Sequence, residues 1–429
     1  MASPFLFESE DVALRKRVND LFDWGLLLAV VTVLGIGLIS IYSSVATADA
    51  TIFRNQIIYA GIGITFGLTV FFFPEHWFSD LAYPMYGVGV LALAAVLTPL
   101  GHEVNGQRCW IQIGSFTFQP SELAKITTLM AMGKVAARKG FDIAAIRDLA
   151  WLVGLVIPPV ALVMLQPDTG SATVFIAMTI GVLLWVGFDL FVLYIIACIP
   201  FVGIAALYGV LFDSLWIFIG VVVLAIAGAF AFRRNLVITI VAASLLLGVG
   251  LSVKPVFNKL ESYQQNRLIT LFEPERNPKG EGYHVIQSML AVGSGGLTGK
   301  GYLKGTQTQL RYIPEQWTDF IYCVPTEEFG FIGGGLVIVL LASIILRGVS
   351  IAGTVRTRFA SVVTIGFTTI LFYHTLVNIG MAIGLVPVMG IPLPFLSAGG
   401  TSLILNLFMV GLLLNFYKTR RRRAGRVAT

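Results

Sequence analysis

Four carboxylates, Glu315, Asp319, Glu327 and Glu328, fall within TQTQLRYIPEQWTDFIYCVPTEEFG (306–330), just before a long apolar run. Gln307, Gln309, Gln316 and Thr318 lie among them. A carboxylate near a membrane face can act as a general base if it reaches the hydroxyl it deprotonates. Burial and like-charged neighbours raise its pKa towards the working range. Glu327 and Glu328 are adjacent and cannot share one helical face, so at most one is expected to point at such a site. The alternative for this stretch is a solvated helix entry.

Other segments carry potential chemistry. In QPSELAK (119–125), Pro120 suits the first position of a helix and Glu122 complements the helix dipole. A well-started helix explains both but not Lys125, one turn on and on the same face, where an ionisable group close to the bilayer usually marks function. In QPDTG (166–170), Asp168 is expected to cap the following helix. The glycines of GEGYHVIQSMLAVGSGGLTGKGYLKG (280–305) permit close backbone approach, and Lys300 and Lys304 are placed to meet a pyrophosphate. A phosphate cradle there needs a following helix start; a flexible loop is the alternative. In NIGMAIGLVPVMGIPLPFLSAGG (378–400), Pro387, Pro392 and Pro394 with Gly390, Gly399 and Gly400 forbid a regular helix. Irregular backbone at membrane depth needs protein or water around it, so this segment is expected to line the same cavity.

The elements that must hold these residues follow from composition. Hydrophobic residues make up 56% and charged residues 12% of the 429, with mean hydropathy +0.85. Soluble domains carry about 25% charged residues, so lipid must cover most of this chain. The net charge of +6 does not indicate nucleic acid, because the basic residues sit between apolar runs. Cys109, Cys198 and Cys323 are too scattered for a disulfide framework, although a Cys109–Cys323 bridge is left open. His76, His102, His284 and His374 lack metal-ligand spacing. No ligand set is evident, so no cofactor is assigned and a divalent cation is left open. No cleavable signal peptide is apparent, so the first apolar run reads as a retained helix.

Runs of about 20 apolar residues predict an all-α bundle of twelve transmembrane helices. They fall at 24–43, 56–73, 81–100, 120–137, 149–165, 170–187, 190–211, 214–231, 236–253, 327–346, 359–385 and 399–417. Starting inside, this count puts Arg15–Arg17, the 134–147 group, Arg233–Arg234, the 347–358 group and Lys418–Arg423 all in the cytoplasm, with both termini. Two polar segments, 101–119 and the long 254–326, then face outward. The latter, with interleaved apolar residues, is expected to be a folded, membrane-hugging loop within a single 1–429 domain. No internal repeat favours a transporter.

These segments together resemble the SEDS family, the RodA/FtsW polytopic glycosyltransferases of bacterial cell-wall synthesis. FQPSELAK (118–125), QPDTGSA (166–172), GYHVIQSMLAVGSGGLTGKG (282–301), PEQWTDFI (314–321), EEFG (327–330) and PVMGIPLPFLSAGG (387–400) occur in the family's order, and GTQTQLRYIPEQ (305–316) looks like the RodA branch, of cell elongation rather than division. The resemblance implies polymerisation of lipid II at the outer face of the bacterial inner membrane, with undecaprenyl pyrophosphate leaving. It implies an essential aspartate at Asp319 as candidate general base. Cations for the leaving group are available at Arg108, Lys125, Lys300 and Lys304. Trp110, Glu122, Gln287, Gln309, Glu315, Thr318, Glu327, Glu328 and Ser397 are further candidate substrate contacts. The implied partner is a class B penicillin-binding protein, the transpeptidase of the elongation complex.

The chain departs from the family pattern at several points. Asn105-Gly106-Gln107-Arg108-Cys109-Trp110 places Cys109 before the tryptophan, and Ala398 stands in place of an aromatic residue. Pro325 is expected to end a short helix. The family's usual ten helices imply an extra pair within 190–253. A lipid-linked precursor flippase or a non-enzymatic scaffold are the competing readings; the clustering of charge at the outer face favours catalysis.

Overall fold

The structure is a computed structural model that describes residues 21–46, 50–104, 107–114, 116–233, 235–276 and 281–420. Arg15, Lys16, Arg17, Asn105, Gly106, Arg234, Gly280 and Arg421–Arg423 from the sequence analysis lie outside the described residues.

The chain is predominantly helical. In order, its elements are α1 (Trp24–Val45), α2 (Ala50–Phe72), α3 (Glu75–Asp80), α4 (Ala82–Val96), β1 (Gly101–Val104), β2 (Gln107–Ile113) and β3 (Phe116–Phe118). Then follow α5 (Pro120–Ala136), α6 (Ile146–Gly154), α7 (Ile157–Leu165), α8 (Thr169–Val186), α9 (Leu190–Phe212), α10 (Trp216–Arg233) and α11 (Leu236–Phe257). The last are α12 (Ser262–Thr270), α13 (Glu281–Ser294), α14 (Thr306–Gln309), α15 (Cys323–Thr354), α16 (Arg358–Ala382) and α17 (Gly400–Lys418).

Ten described helices, α6 and α7 counted as one, are long and apolar enough to cross a membrane. Two of the twelve apolar runs fall short of that measure. Helix α4 has 15 residues, about 22 Å at 1.5 Å per residue against a hydrocarbon core of about 30 Å. Helix α5 carries Glu122, Lys125 and Lys134 and is buried along almost its whole length, so protein rather than lipid surrounds it. It packs on α4 and α16.

The polar segment after α4 is not an open loop. It folds into a three-stranded antiparallel sheet in the order β1–β2–β3, the one departure from an all-helical chain among the described residues. Its strands are too short and too polar for periodicity to stand out, and their pairing satisfies backbone groups that would otherwise be exposed. The 254–326 segment contains α12, α13 and α14, with α11 reaching to Phe257. Pro325 does not end a helix: it lies in the first turn of α15, where its missing N–H costs no helical hydrogen bond.

Two compact units share the chain. One comprises residues 1–182, 287–383 and 389–429 and holds every candidate site residue; the other comprises 183–286 and 384–388. In the first, α2 packs on α17, α1 on α15 and α15 on α16. At the foot of that unit the Asn415 amide donates to the carbonyls of Val70, Phe71 and Phe73, capping the C-terminal end of α2. In the second, Phe191, Ile195, Val202, Val222, Ala225, Ala229, Ala242 and Leu246 make an apolar core among α9, α10 and α11. The Tyr194 hydroxyl donates to the Ala225 carbonyl across it, and Asp189 at the start of α9 pairs with Arg233.

Candidate active site

Asp319 lies in the turn-rich stretch between α14 and α15 and is half-buried. Three successive carbonyls around it are bound, two by the 397–398 loop and one by α16. Ala398 N donates to Trp317 O (2.8 Å), Ser397 Oγ to Thr318 O (2.6 Å) and Asn378 Nδ2 to Asp319 O (2.8 Å). Gly390, at φ 67°, faces the carboxylate: a Cβ there would stand 3.8 Å from Asp319 Oδ2. The irregular 389–399 stretch therefore lies against Asp319, as its prolines and glycines suggest. Gln56 holds its far end, donating to Ser397 O (3.2 Å) and accepting from Gly399 N (3.2 Å). The glycine of QPDTG serves the same stretch, since a Cβ on Gly170 would lie 2.3 Å from the Met389 carbonyl oxygen.

The same stretch meets the Glu122–Lys125 pair. Lys125 Nζ donates to Glu122 Oε1 at 2.8 Å, and both residues are buried. His374 Nδ1 lies 3.2 Å from the Pro392 carbonyl, which only accepts, so Nδ1 carries the proton. Nε2 is then the acceptor that faces Lys125 Nζ at 3.4 Å. A buried ammonium thus sits between a carboxylate and a neutral imidazole, two residues along the loop from Gly390.

Glu327 and Glu328 diverge as adjacent helical residues must, yet both are fully buried. Glu327 Oε1 accepts from Lys300 Nζ (2.7 Å), Thr306 Oγ1 (3.2 Å) and Gln307 N (2.9 Å). Its Oε2 accepts from Thr308 N (2.9 Å) and Thr308 Oγ1 (2.7 Å). This carboxylate caps the first turn of α14 from a distance, the place an anion takes at a helix N-terminus. The helix start that a phosphate cradle would need is present, and Glu327 occupies it. Glu328 Oε1 accepts from Ser43 Oγ and from Leu303 N (3.1 Å). Gln309 Nε2 donates to Ser43 O (3.1 Å) and Oγ (3.0 Å).

The glycine-rich stretch closes this cluster. Helix α15 breaks at Gly330 (φ 67°, ψ −157°), a conformation open essentially to glycine alone. Across the break, Lys300 N and Gly301 N donate to the carbonyls of Glu327 and Glu328, while Phe331 N and Ile332 N donate to those of Gly296 and Leu297. Gln316 joins the two clusters, donating to Thr308 O (2.9 Å) and Ser44 O (3.3 Å).

The remaining candidates lie as follows. Lys304 and Glu315 are exposed, and Glu315 takes φ 47° in the turn that leads to Asp319. Thr318 Oγ1 donates to the Glu315 carbonyl at 2.9 Å. Arg108 is exposed on β2 and donates to Gly101 O at 3.0 Å; Trp110 is partly buried opposite His102. Gln287 is half-buried on α13, next to Ser288, whose hydroxyl donates to Ala382 O at 2.6 Å. Asp168 caps α8 through Ser171 N at 2.9 Å, as expected of a structural cap. All three cysteines are free, and burial, helped by the Asp168 charge, pushes the Cys109 thiol up to about 12. No group of three or more His, Cys, Asp or Glu residues is arranged to hold a metal among the described residues. Residues the motifs did not single out are Ser43, Gln56 and His374; Asn378 opens the 378–400 segment expected to be irregular, but the helix α16 continues through it to Ala382. The available signal was polarity inside apolar helices, which normally marks a partnered or functional group.

A polytopic helical membrane protein with a buried ion pair and an aspartate beside an irregular, proline- and glycine-rich segment is the class that this geometry defines. The profile of the FtsW/RodA/SpoVE cell cycle proteins matches residues 24–216 and 211–422, and the chain belongs to that family. It is 30% identical over 428 residues to the peptidoglycan glycosyltransferase RodA of Treponema pallidum (strain Nichols), covering 93% of this chain and 98% of that one. Among solved structures it is similar to a chain from a peptidoglycan synthase complex that coordinates polymerization and crosslinking. That match has a TM-score of 0.69 and 30% identity, covering 92% of this chain and 97% of the other. It is also similar to the rod shape determining protein RodA of Thermus thermophilus, with a TM-score of 0.61 and 26% identity, covering 94% and 98% of the two chains.

Proposed function

We propose that this protein is the peptidoglycan glycosyltransferase of cell elongation and that it polymerises lipid II at the outer face of the inner membrane. Asp319 is the general base. Its carboxylate takes the proton of the acceptor 4-hydroxyl as that oxygen attacks the anomeric carbon of the donor. The bond from that carbon to undecaprenyl pyrophosphate breaks, and the pyrophosphate carries away the electron pair. Developing charge on it is met by cations. Lys125 is held beside the loop that faces Asp319, and Lys304 and Arg108 are exposed; Lys300 is engaged by Glu327 and contributes mainly through the shape of its loop.

The observation that carries this reading is the bracing of the backbone around a half-buried Asp319. Its main chain is bound at three successive carbonyls, while its half-buried side chain faces the 389–398 loop. A base needs this combination, since orientation is set in advance and access is retained. The basic clusters between apolar runs support cytoplasmic termini and a periplasmic site, with the two shorter helices crossing inside the bundle. The partner is a class B penicillin-binding protein, which supplies the transpeptidase.

The test is a gel assay of labelled lipid II with purified protein, with and without the partner, comparing wild type and Asp319→Asn at equal folded amount. Glycan ladders from wild type alone support the reading. Equal ladders from both remove Asp319 as base. No ladder from either, with an active partner present, moves the function to transport or scaffolding.

A further inference from the structure

The direction of the Asp319 side chain depends on its own backbone, and the two torsions there are restrained by different neighbours. The peptide before it carries the Thr318 carbonyl, which accepts from Ser397 Oγ at 2.6 Å. The peptide after it carries the Asp319 carbonyl, which accepts from Asn378 Nδ2 at 2.8 Å. The first contact restrains φ of Asp319 and the second restrains ψ.

The Asn378 contact has a second arm. Its other amide hydrogen goes to the Ile391 carbonyl, also at 2.8 Å, next to the glycine that faces the Asp319 carboxylate. The amide orientation is unambiguous, because a flip would set Oδ1 against two carbonyl oxygens. Asn378 is completely buried on α16, and its Oδ1 has no partner among the described residues. A buried polar atom left without a partner is costly and calls for an explanation. Here both donors are committed to fixing two strands of backbone, and the acceptor is the consequence.

Asn378 also stands one turn after His374, which donates to the Pro392 carbonyl and touches Lys125. One face of α16 therefore holds the wall of the site at two successive carbonyls, Ile391 and Pro392. Asn378 extends that hold to Asp319.

We propose that Asn378 is a positioning residue for the transfer reaction: it sets the direction of the Asp319 side chain and its distance from the Gly390 wall. This rests on the reading of Asp319 as the base. A carboxylate displaced by about 1 Å loses about a hundredfold in rate. Asn378→Leu removes both donors at nearly constant volume. The expected result is a fall in kcat of about a hundredfold per folded molecule, with KM for lipid II unchanged.

A purely structural role would lower thermal stability and leave kcat per folded molecule intact, so the decisive readout is a double-mutant cycle with Asp319→Asn, measured as single-turnover rates. If Asn378 acts through Asp319, removing it in the Asp319→Asn background costs nothing further. Full kcat in Asn378→Leu with a crippled Asp319→Asn overturns the positioning role and leaves the base assignment standing. Equal additional losses in both backgrounds also overturn it. Wild-type activity of Asp319→Asn removes the base itself, a different failure read from a different protein. Should Asn378→Leu not fold, Asn378→Gln keeps both donors one methylene further out and is judged by the same cycle.

Discussion

Asp319 and Glu327 are eight residues apart, in the same stretch of chain, and the protein buries Glu327 completely while leaving Asp319 half-exposed. At Glu327 the carboxylate itself is bound, by an ammonium, two hydroxyls and two backbone amides. At Asp319 the backbone is bound and the side chain stays half-exposed beside a glycine. The first arrangement is a fastener. Five donors hold the charge, and none of them can be given up during a reaction without releasing α14. The second is a mount. A carboxylate among polar residues is thus poor evidence for catalysis until its burial and the donors that hold it are known.

Several experiments would break or sharpen that contrast. The largest effect is expected from Asp319→Asn, which should lower lipid II polymerisation by roughly 10²–10⁴-fold with little change in the thermal midpoint. A loss of stability comparable to the loss of rate would make Asp319 a fastener as well.

Lys125→Met comes next. It leaves Glu122 buried without its partner, which costs about 3–5 kcal/mol. The double variant Glu122→Gln/Lys125→Met should regain most of that stability while remaining slow. Recovery of rate along with stability would assign the pair to folding alone.

Glu327→Gln keeps the shape but loses the charge. It should cost about 2–3 kcal/mol, read as a lower midpoint and faster proteolysis at 302–311. Per folded molecule its activity should fall far less than that of Asp319→Asn.

The smallest effect concerns Cys109. Its thiol is pushed up to about 12 by burial and by Asp168, so it stays protonated and should resist maleimide at pH 8 until the sheet unfolds. The sign follows from a folded pKa above the unfolded one. The contribution to stability is complete below about 9 and is lost as pH rises towards 12. Rapid labelling of the folded protein would show β2 to be open.

What could be read from the sequence was what depends on near neighbours. Pro120, Glu122 and Lys125 lie within two turns of one helix, and their ion pair follows from spacing. The cap made by Asp168 is local in the same way, and so is the divergence of Glu327 and Glu328. The residues that complete the site come from far along the chain. His374 is 249 positions from Lys125, Ser43 is 285 from Glu328 and Asn378 is 59 from Asp319. Spacing rules carry no information over such separations. The sheet at 101–118 was missed for another reason: with strands of four, seven and three residues, alternation has no length over which to show. The glycine cluster was legible as a place of close approach, but that it approaches the chain's own helix emerges only from the pairing.

The break at Gly330 bears on how the chain is made. Four backbone groups of α15 around that glycine find partners in 296–301, a segment synthesised about thirty residues earlier. An apolar helix leaving the ribosome with that break would present unmet amides and carbonyls to lipid. Its partner segment, however, has already emerged when the helix appears, and the splice can close at once. The order of these two segments along the gene is thus itself a safeguard during biogenesis. A circular permutant opened between them, with 296–301 translated last, should insert poorly even though its finished contacts would be the same.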